Sequence, residues 1–144
     1  PRSTQGVSSA ASDVYKRQTG HGVGHYLSVH EGPHRISKFS NVAFKEGMIV
    51  SNEPGFYHEG KFGIRIENLV LVQKSEMEPS NSFLEFETLS FVPIDQRLIS
   101  VKLLNEHEIE WINNYHLQCW EKVHNKVDTK TQAWLENMTK PIEK

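Results

Sequence analysis

Residues 19–34, TGHGVGHYLSVHEGPH, restrict the local fold more than any other segment of the chain. They contain four of the eight histidines and four of the nine glycines among its 144 residues. An α-helix tolerates the glycines at positions 20, 22 and 24 poorly, since each costs about 1 kcal/mol relative to alanine. The segment therefore predicts a glycine-kinked strand over residues 19–29, which ends at a Glu-Gly-Pro turn.

The composition excludes several classes of function. The formal net charge is −2, whereas a protein that binds a nucleic-acid backbone carries a marked basic excess. No apolar run approaches the ~20 residues that a transmembrane helix needs. The only cysteine, Cys119, cannot form an internal disulfide, which fits a reducing compartment. We therefore expect a cytoplasmic globular protein that binds neither nucleic acid nor membranes.

Strand patterns extend to about residue 95. The segments MIVSNE (48–53), IRIENLVLVQ (64–73) and FLEFETLSFVPI (83–94) predict strands. Between the first two, YHEGKFG (57–63) predicts a hairpin that turns at Gly60. By contrast, residues 1–18 have no initiator methionine, little apolar content and no periodicity. They are predicted to be a disordered or non-native leader.

Helical patterns follow Pro93. Asn105 and Glu108 have the spacing of a capping box, and apolar residues then recur every three or four positions to residue 127. A second helix is predicted over residues 130–138, with Ala133, Trp134 and Met138 as its apolar face. The predicted fold class is therefore α+β.

The histidines of the first segment do not form a known helical zinc motif. His21 and His25 are four residues apart, but Gly22 stands where zinc proteases of that type have glutamate. On a strand His21 and His25 would share a face, whereas His30 would take the opposite face unless the chain bends. That they are polar surface residues remains a second interpretation.

Two glutamates lie in or beside predicted strands. Glu53 follows a strand directly, where a carboxylate is often simply solvated. Arg65 and Glu67 point the same way within a strand whose apolar residues predict burial on both faces. A buried glutamate must be paired or bound to a metal. The arginine therefore either supports a metal-binding carboxylate or forms a structural ion pair with it.

His25, Glu53 and Glu67 together offer one imidazole and two carboxylates. That ligand set suits a divalent ion such as manganese, cobalt or zinc. Two ions about 3.5–4 Å apart can share a bridging carboxylate and activate a water molecule. Three side chains, however, are too few to hold two ions.

Three blocks carry a specific resemblance: GHGVGHYLSVHEGP (20–33), GMIVSNEPGFY (47–57) and FGIRIENLVLV (62–72). In this order and spacing they resemble the C-terminal half of the catalytic domain of the X-prolyl aminopeptidases (aminopeptidases P), most closely the cytosolic eukaryotic type. These enzymes belong to the pita-bread metallopeptidase family. Residues 86–116 also resemble the extension that follows that domain. The resemblance implies an antiparallel curved sheet with helices over residues 19–95 and a helical extension over residues 96–144.

The resemblance also implies roles for individual residues, which follow the family motifs position by position. Metal ligation is expected of His25, Glu53 and Glu67. Catalysis or substrate contact is expected of His21, His30 and Glu53. Arg65 is expected to support the bridging carboxylate. Glu67 would bridge two divalent ions, manganese foremost, with zinc or cobalt as alternatives. His34 is expected to have no catalytic role. Asn52 departs from the family, which often has an acidic residue there.

The family takes two aspartate ligands and a further histidine from upstream strands, and none of them is found here. The resemblance therefore implies a fragment of an enzyme that releases the N-terminal residue from peptides with proline second, itself inactive in isolation. Two other interpretations remain open. One is a non-catalytic pita-bread module that binds peptides or proteins. The other is a structural fragment or homodimer that pairs through Trp111, Tyr115 and Trp120 of the C-terminal region.

Overall fold

The computed structural model describes residues 19–26, 28–76 and 83–144. The chain divides into two compact units, Pro1–Ser90 and Phe91–Lys144. In the described residues, every strand lies in the first unit and every helix in the second. This is the predicted α+β order. The leader predicted for residues 1–18 lies outside the described residues.

The first unit has seven short strands in its described part, all of them paired antiparallel. β1 pairs with β2, β4 with β5, and a three-stranded sheet has the order β3-β6-β7. Their bounds are β1 Gly20–His21, β2 Arg35–Ile36, β3 Ile49–Asn52, β4 Gly55–His58, β5 Phe62–Arg65, β6 Asn68–Lys74 and β7 Leu84–Thr88.

The core of this unit is a small valine cluster. Val50 of β3 lies opposite Val70 of β6, and both are buried together with Val72. Partly buried Ile36 and Phe44 pack against them. Each such side chain contributes about 1.5–3 kcal/mol when fully buried. The cluster fixes β3 and β6, and therefore the strand end from which Glu53 extends.

Two local predictions are confirmed here. The segment 48–53 contains β3, and β4 and β5 form the predicted hairpin. Gly60 lies in its turn with φ of 70°, a left-handed conformation that glycine adopts without a steric penalty.

Two strand predictions are wrong. The segment 64–73 is not one strand, because β5 ends at Arg65 and β6 begins at Asn68. The chain changes partner there, and the N–H of Ile66 donates to the carbonyl of Pro54. Of the residues described in the segment 19–29, only Gly20–His21 form a strand, with an isolated bridge from Gly22 to Val50. The N–H groups of Gly22 and Gly24 donate to the carbonyls of His34 and Ser28. Its glycines favour a tight loop over a strand.

The second unit contains helices α1, Glu106–Val123, and α2, Thr129–Met138. Asn105 and Glu108 form the predicted capping box at the start of α1. The apolar face predicted for α2 is wrong in part, because Trp134 is 53% exposed and Leu135 is the buried residue. Three 3₁₀ turns complete this unit: Gln96–Leu98, Val101–Leu103 and His124–Lys126.

Tyr115 and His116 anchor α1 to the segment before it. The hydroxyl of Tyr115 donates to the carbonyl of Val92 and accepts from its N–H, and Nε2 of the fully buried His116 accepts from the N–H of Ile94. Tyr115 is thus buried within its own unit, whereas Trp111, which stacks on it, is 58% exposed. Of the helices in the described ranges, none is both long and apolar enough to cross a membrane.

Candidate active site

His21 and Glu53 meet at the junction of β1 with the end of β3. Nε2 of His21 lies 3.1 Å from Oε1 of Glu53. The same oxygen accepts a hydrogen bond from Oγ of Ser51 at 3.0 Å. Ser51 is fully buried and its hydroxyl also accepts from the N–H of His21. One serine therefore holds both members of the pair in place.

The imidazole of His21 faces an acceptor at each ring nitrogen. Nδ1 lies 2.9 Å from the carbonyl oxygen of Gly22, and Nε2 faces the Glu53 carboxylate. A neutral ring donates through one nitrogen only, whereas the imidazolium donates through both. The imidazolium would therefore satisfy both contacts at once, whereas the neutral ring would donate to only one of the two acceptors.

Arg65 joins the two glutamates predicted for the site. Its Nε atom lies 3.1 Å from Oε2 of Glu67, and its Nη1 atom lies 3.7 Å from Oε2 of Glu53. A hydrogen bond with Tyr57 and the charge of Glu67 raise the pKa of the guanidinium, which thus stays cationic. The prediction that a strand buries this pair is wrong, because the Arg65 side chain is 50% and the Glu67 side chain 41% exposed. They flank the break between β5 and β6.

His30 joins the same cluster through His21. The centroids of the two rings are 4.3 Å apart, with an interplanar angle of 48°. The strand parity that would have separated His30 from His21 does not apply, because the chain turns back between them: the N–H of Glu31 donates to the carbonyl of Gly22. His21, His30, Glu53, Arg65 and Glu67 thus form one continuous group of contacts.

His25 lies apart from this group. It is exposed and its ring contacts Tyr26 edge-on, at 5.6 Å between centroids. Across residues 19–26, 28–76 and 83–144, no three His, Cys, Asp or Glu side chains are grouped so as to hold a metal ion. The donor chemistry of Glu53 and Glu67, two carboxylates that share one guanidinium, fits part of a divalent-cation site. His25 as a third ligand stays a prediction.

Two glycines allow the close approach that builds the pair. A Cβ atom on Gly20 would lie 1.9 Å from the carbonyl oxygen of Ser51, and one on Gly22 would lie 2.0 Å from that of Glu31. Both contacts are with backbone atoms, which cannot move aside easily. Any other residue at position 20 would displace β1 from β3, and any other residue at position 22 would displace this segment from the loop that contains Glu31.

Sequence reasoning missed Ser51, Tyr57 and the structural role of His34. Ser51 lies two residues before Glu53, so the two point the same way on an extended chain, which was a usable signal. His34 bonds through Nε2 to the carbonyl of Ile49 at 3.0 Å and packs on Phe44. No local pattern indicated that contact.

Comparison with known proteins identifies the family. The sequence matches metallopeptidase family M24 over residues 4–74 and the C-terminal region of peptidase M24 over residues 82–142. It is 47% identical to a probable Xaa-Pro aminopeptidase P of Laccaria bicolor, over 89% of this chain and 21% of the relative. It is also 47% identical to aminopeptidase P2 of Arabidopsis thaliana, over 90% of this chain and 19% of the relative.

A solved structure matches as well. X-prolyl aminopeptidase from Caenorhabditis elegans, described as a cytosolic enzyme with a di-nuclear active site, is 39% identical, with a TM-score of 0.76 over 88% of this chain and 21% of that one. The expected α+β, pita-bread fold is thereby confirmed. The chain spans about a fifth of the length of the curated relatives it matches. It belongs to metallopeptidase family M24.

Proposed function

We propose that this chain supplies part of the active site of an Xaa-Pro aminopeptidase, which hydrolyses the bond between an N-terminal residue and a proline in second position. The observation that carries the proposal is the continuous contact from His30 through His21 to Glu53 and Arg65. The names of the relatives agree with it. We further propose that the enzyme is cytoplasmic, as its C. elegans relative is described.

The substrate explains the need for imidazoles. The amide before proline is tertiary, so its nitrogen carries no hydrogen and must be protonated before it leaves. Histidine holds and donates a proton near neutral pH. In this proposal His21 donates that proton to the departing proline nitrogen, and Glu53 keeps the ring in position. His30 contacts the substrate beside it.

Metal ions belong to the proposal because the family is one of metallopeptidases. His25, Glu53 and Glu67 would hold two divalent ions, manganese foremost, together with ligands from outside the described residues. Bound ions of this kind supply an activated water and polarise the substrate carbonyl. Arg65 orients the Glu67 carboxylate through its Nε contact and offsets the repulsion between the two glutamates.

The 144-residue chain alone is expected to be inactive. Since its described residues bring no three candidate ligands together, we expect weak metal binding that is lost on His25→Ala. Calorimetric titration with Mn²⁺, in parallel with His58→Ala as a histidine control in the hairpin, measures this. Tight binding of two ions per chain would contradict it.

The proposed function is tested in the intact enzyme that contains this sequence. Glu67→Gln removes one negative charge at constant size, and we expect it to abolish release of the N-terminal residue from Ala-Pro peptides without loss of secondary structure. The matched control is Glu59→Gln, an exposed glutamate beside the hairpin turn. Full activity of the Glu67→Gln enzyme would refute the role of Glu67. Failure of the unmodified enzyme to cleave any Ala-Pro peptide would refute the proposed function itself.

A further inference from the structure

An open depression in the surface beside β2, called the cavity below, is separate from the histidine cluster. Its volume is about 460 Å³, within the range of about 300–1,000 Å³ that is usual for ligand pockets. Nine residues of the described ranges line it, and those used below are Thr19, Arg35, Ser37, Lys38, Ser40 and Phe44. They combine a partly buried aromatic ring with hydroxyl groups and two cations.

The charges on the described lining residues are of one sign. Arg35 and Lys38 are exposed, and neither forms an ion pair with any residue in the described ranges. No aspartate or glutamate is among the nine lining residues. Arginine pairs with carboxylates through parallel hydrogen bonds, and lysine adds a point charge. The cavity is therefore complementary to an anion.

The cavity borders the proposed active site through the β1–β2 ladder. His21 and Arg35 are direct partners in that ladder, and opposite residues of an antiparallel pair project from the same face about 5 Å apart. Thr19 lies two residues before His21, and its carbonyl accepts from the N–H of Glu53. A ligand held by Arg35 would therefore lie next to the group that contains His21.

We propose, on the basis of the proposed function, that this cavity binds a carboxylate of the peptide substrate downstream of the cleaved bond. An aminopeptidase substrate carries an ammonium group at its first residue, which two cations repel. Its downstream carboxylates are acidic side chains and the C-terminus. Arg35 and Lys38 thus act as specificity residues that favour acidic peptides.

Four peptides distinguish the source of the carboxylate in assays of the intact enzyme. Ala-Pro-Glu-Ala amide is compared with Ala-Pro-Gln-Ala amide for a side chain, and Ala-Pro-Ala-Ala with its amide for the C-terminus. We expect kcat/KM to favour the charged member of at least one pair by about three- to tenfold, because partly exposed ion pairs are individually modest. The double variant Arg35→Gln/Lys38→Gln should bring that ratio to about one.

The matched control is Lys45→Gln, which removes an exposed cation outside the cavity and should leave the ratio unchanged. A kcat/KM ratio near one for both peptide pairs in the unmodified enzyme would overturn the proposal while leaving the aminopeptidase function intact. So would a ratio that the double variant retains.

If the enzyme cleaves none of the four peptides, the proposed function fails. A binding measurement then tests the cavity on its own. Fluorescence anisotropy then compares the glutamate and glutamine peptides, each labelled at its C-terminal amide. Tighter binding of the glutamate peptide that disappears in the double variant would support the cavity. Equal binding of the two peptides would overturn the proposed preference for acidic side chains.

Discussion

Nε2 of His21 lies 3.1 Å from Oε1 of Glu53, and the two side chains are only 13% and 14% exposed. At this distance the carboxylate can accept a hydrogen bond from the ring, and partial burial makes that contact stronger than it would be in water. Ser51 contacts both of them, and Arg65 contacts the second oxygen of Glu53. Substitution of His21 therefore tests the proposed proton-transfer group itself, and substitution of Ser51 tests the contacts that hold it.

Replacing His21 should remove proton transfer while preserving the strands. We expect His21→Gln to lower kcat of the intact enzyme on Ala-Pro peptides by about 10²-fold or more, the usual contribution of a positioned acid or base. The pH dependence of kcat should also lose one limb. His58→Gln, in the exposed end of β4, is the control. An unaltered pH profile in His21→Gln would exclude a proton-transfer role.

Replacing Ser51 should weaken both the site and the core. Ser51→Ala leaves the N–H of His21 and the carboxylate of Glu53 each without one hydrogen-bond partner. An unsatisfied buried polar group costs about 1–3 kcal/mol. Hydrogen exchange at the amides of Val70 and Val72 should show this loss of stability. Ser28→Ala, at an exposed loop position, should show none, and equal protection in both variants would contradict the prediction.

Burial of His116 predicts a pH-dependent stability of the second unit. Burial lowers the pKa of this ring, so the unfolded chain takes up a proton near pH 6.5 that the folded chain does not. As far as His116 is concerned, the free energy of unfolding should therefore be at its full value above that pH. Below that pH it should fall by up to about 1.4 kcal/mol per pH unit. The pKa of Asp95, lowered to about 2 by Arg97, lies below this window.

Tryptophan fluorescence measures this effect, because all three tryptophans, Trp111, Trp120 and Trp134, lie in the second unit. Urea unfolding followed at pH 7.5 and at pH 5.5 gives the slope of the unfolding free energy against pH. His116→Gln should flatten it, whereas His107→Gln at an exposed position of α1 should not. Equal slopes in the unmodified chain and in His116→Gln would refute the assignment.

The capping box of α1 should be measurable by the same fluorescence. Oδ1 of Asn105 accepts from the N–H of Glu108 at 2.9 Å, and Oε2 of Glu108 accepts from the N–H of Asn105 at 2.8 Å. Asn105→Ala should cost about 1 kcal/mol of unfolding free energy. Asn114→Ala, at an exposed position within the helix, should cost nothing because alanine is the better helix former. A cost below a few tenths at Asn105 would contradict the cap.

The elements that the sequence predicted well are those decided by neighbouring residues. Gly60 supplies its own turn conformation and Asn105 its own cap, so the hairpin and the start of α1 needed no knowledge of distant contacts. The segment 64–73 failed because its apolar residues are compatible with any partner strand. The β4–β5 ladder stops where Ile66 meets Pro54, because proline accepts from the N–H of Ile66 but has no N–H to donate in return.

The candidate site likewise contains residues that the sequence predicted and one that it did not. Motif resemblance placed His21, His30, Glu53, Arg65 and Glu67 in one site, and the structure joins them in one group of contacts. It did not indicate Ser51, whose role depends on how closely β1 lies against β3. The burial expected for Glu67 failed because apolar composition alone does not specify which faces another element covers.

The glycines between residues 19 and 25 make the site sensitive to spacing. Gly20 and Gly22 face backbone carbonyls at distances that exclude a Cβ atom, and His21 lies between them. Deletion of Gly20 would exchange the two sets, forcing the His21 imidazole against the carbonyl of Ser51 and turning Gly22 toward Glu53. Conservative substitutions around this segment are therefore far less damaging than a one-codon insertion or deletion that leaves its composition almost unaltered.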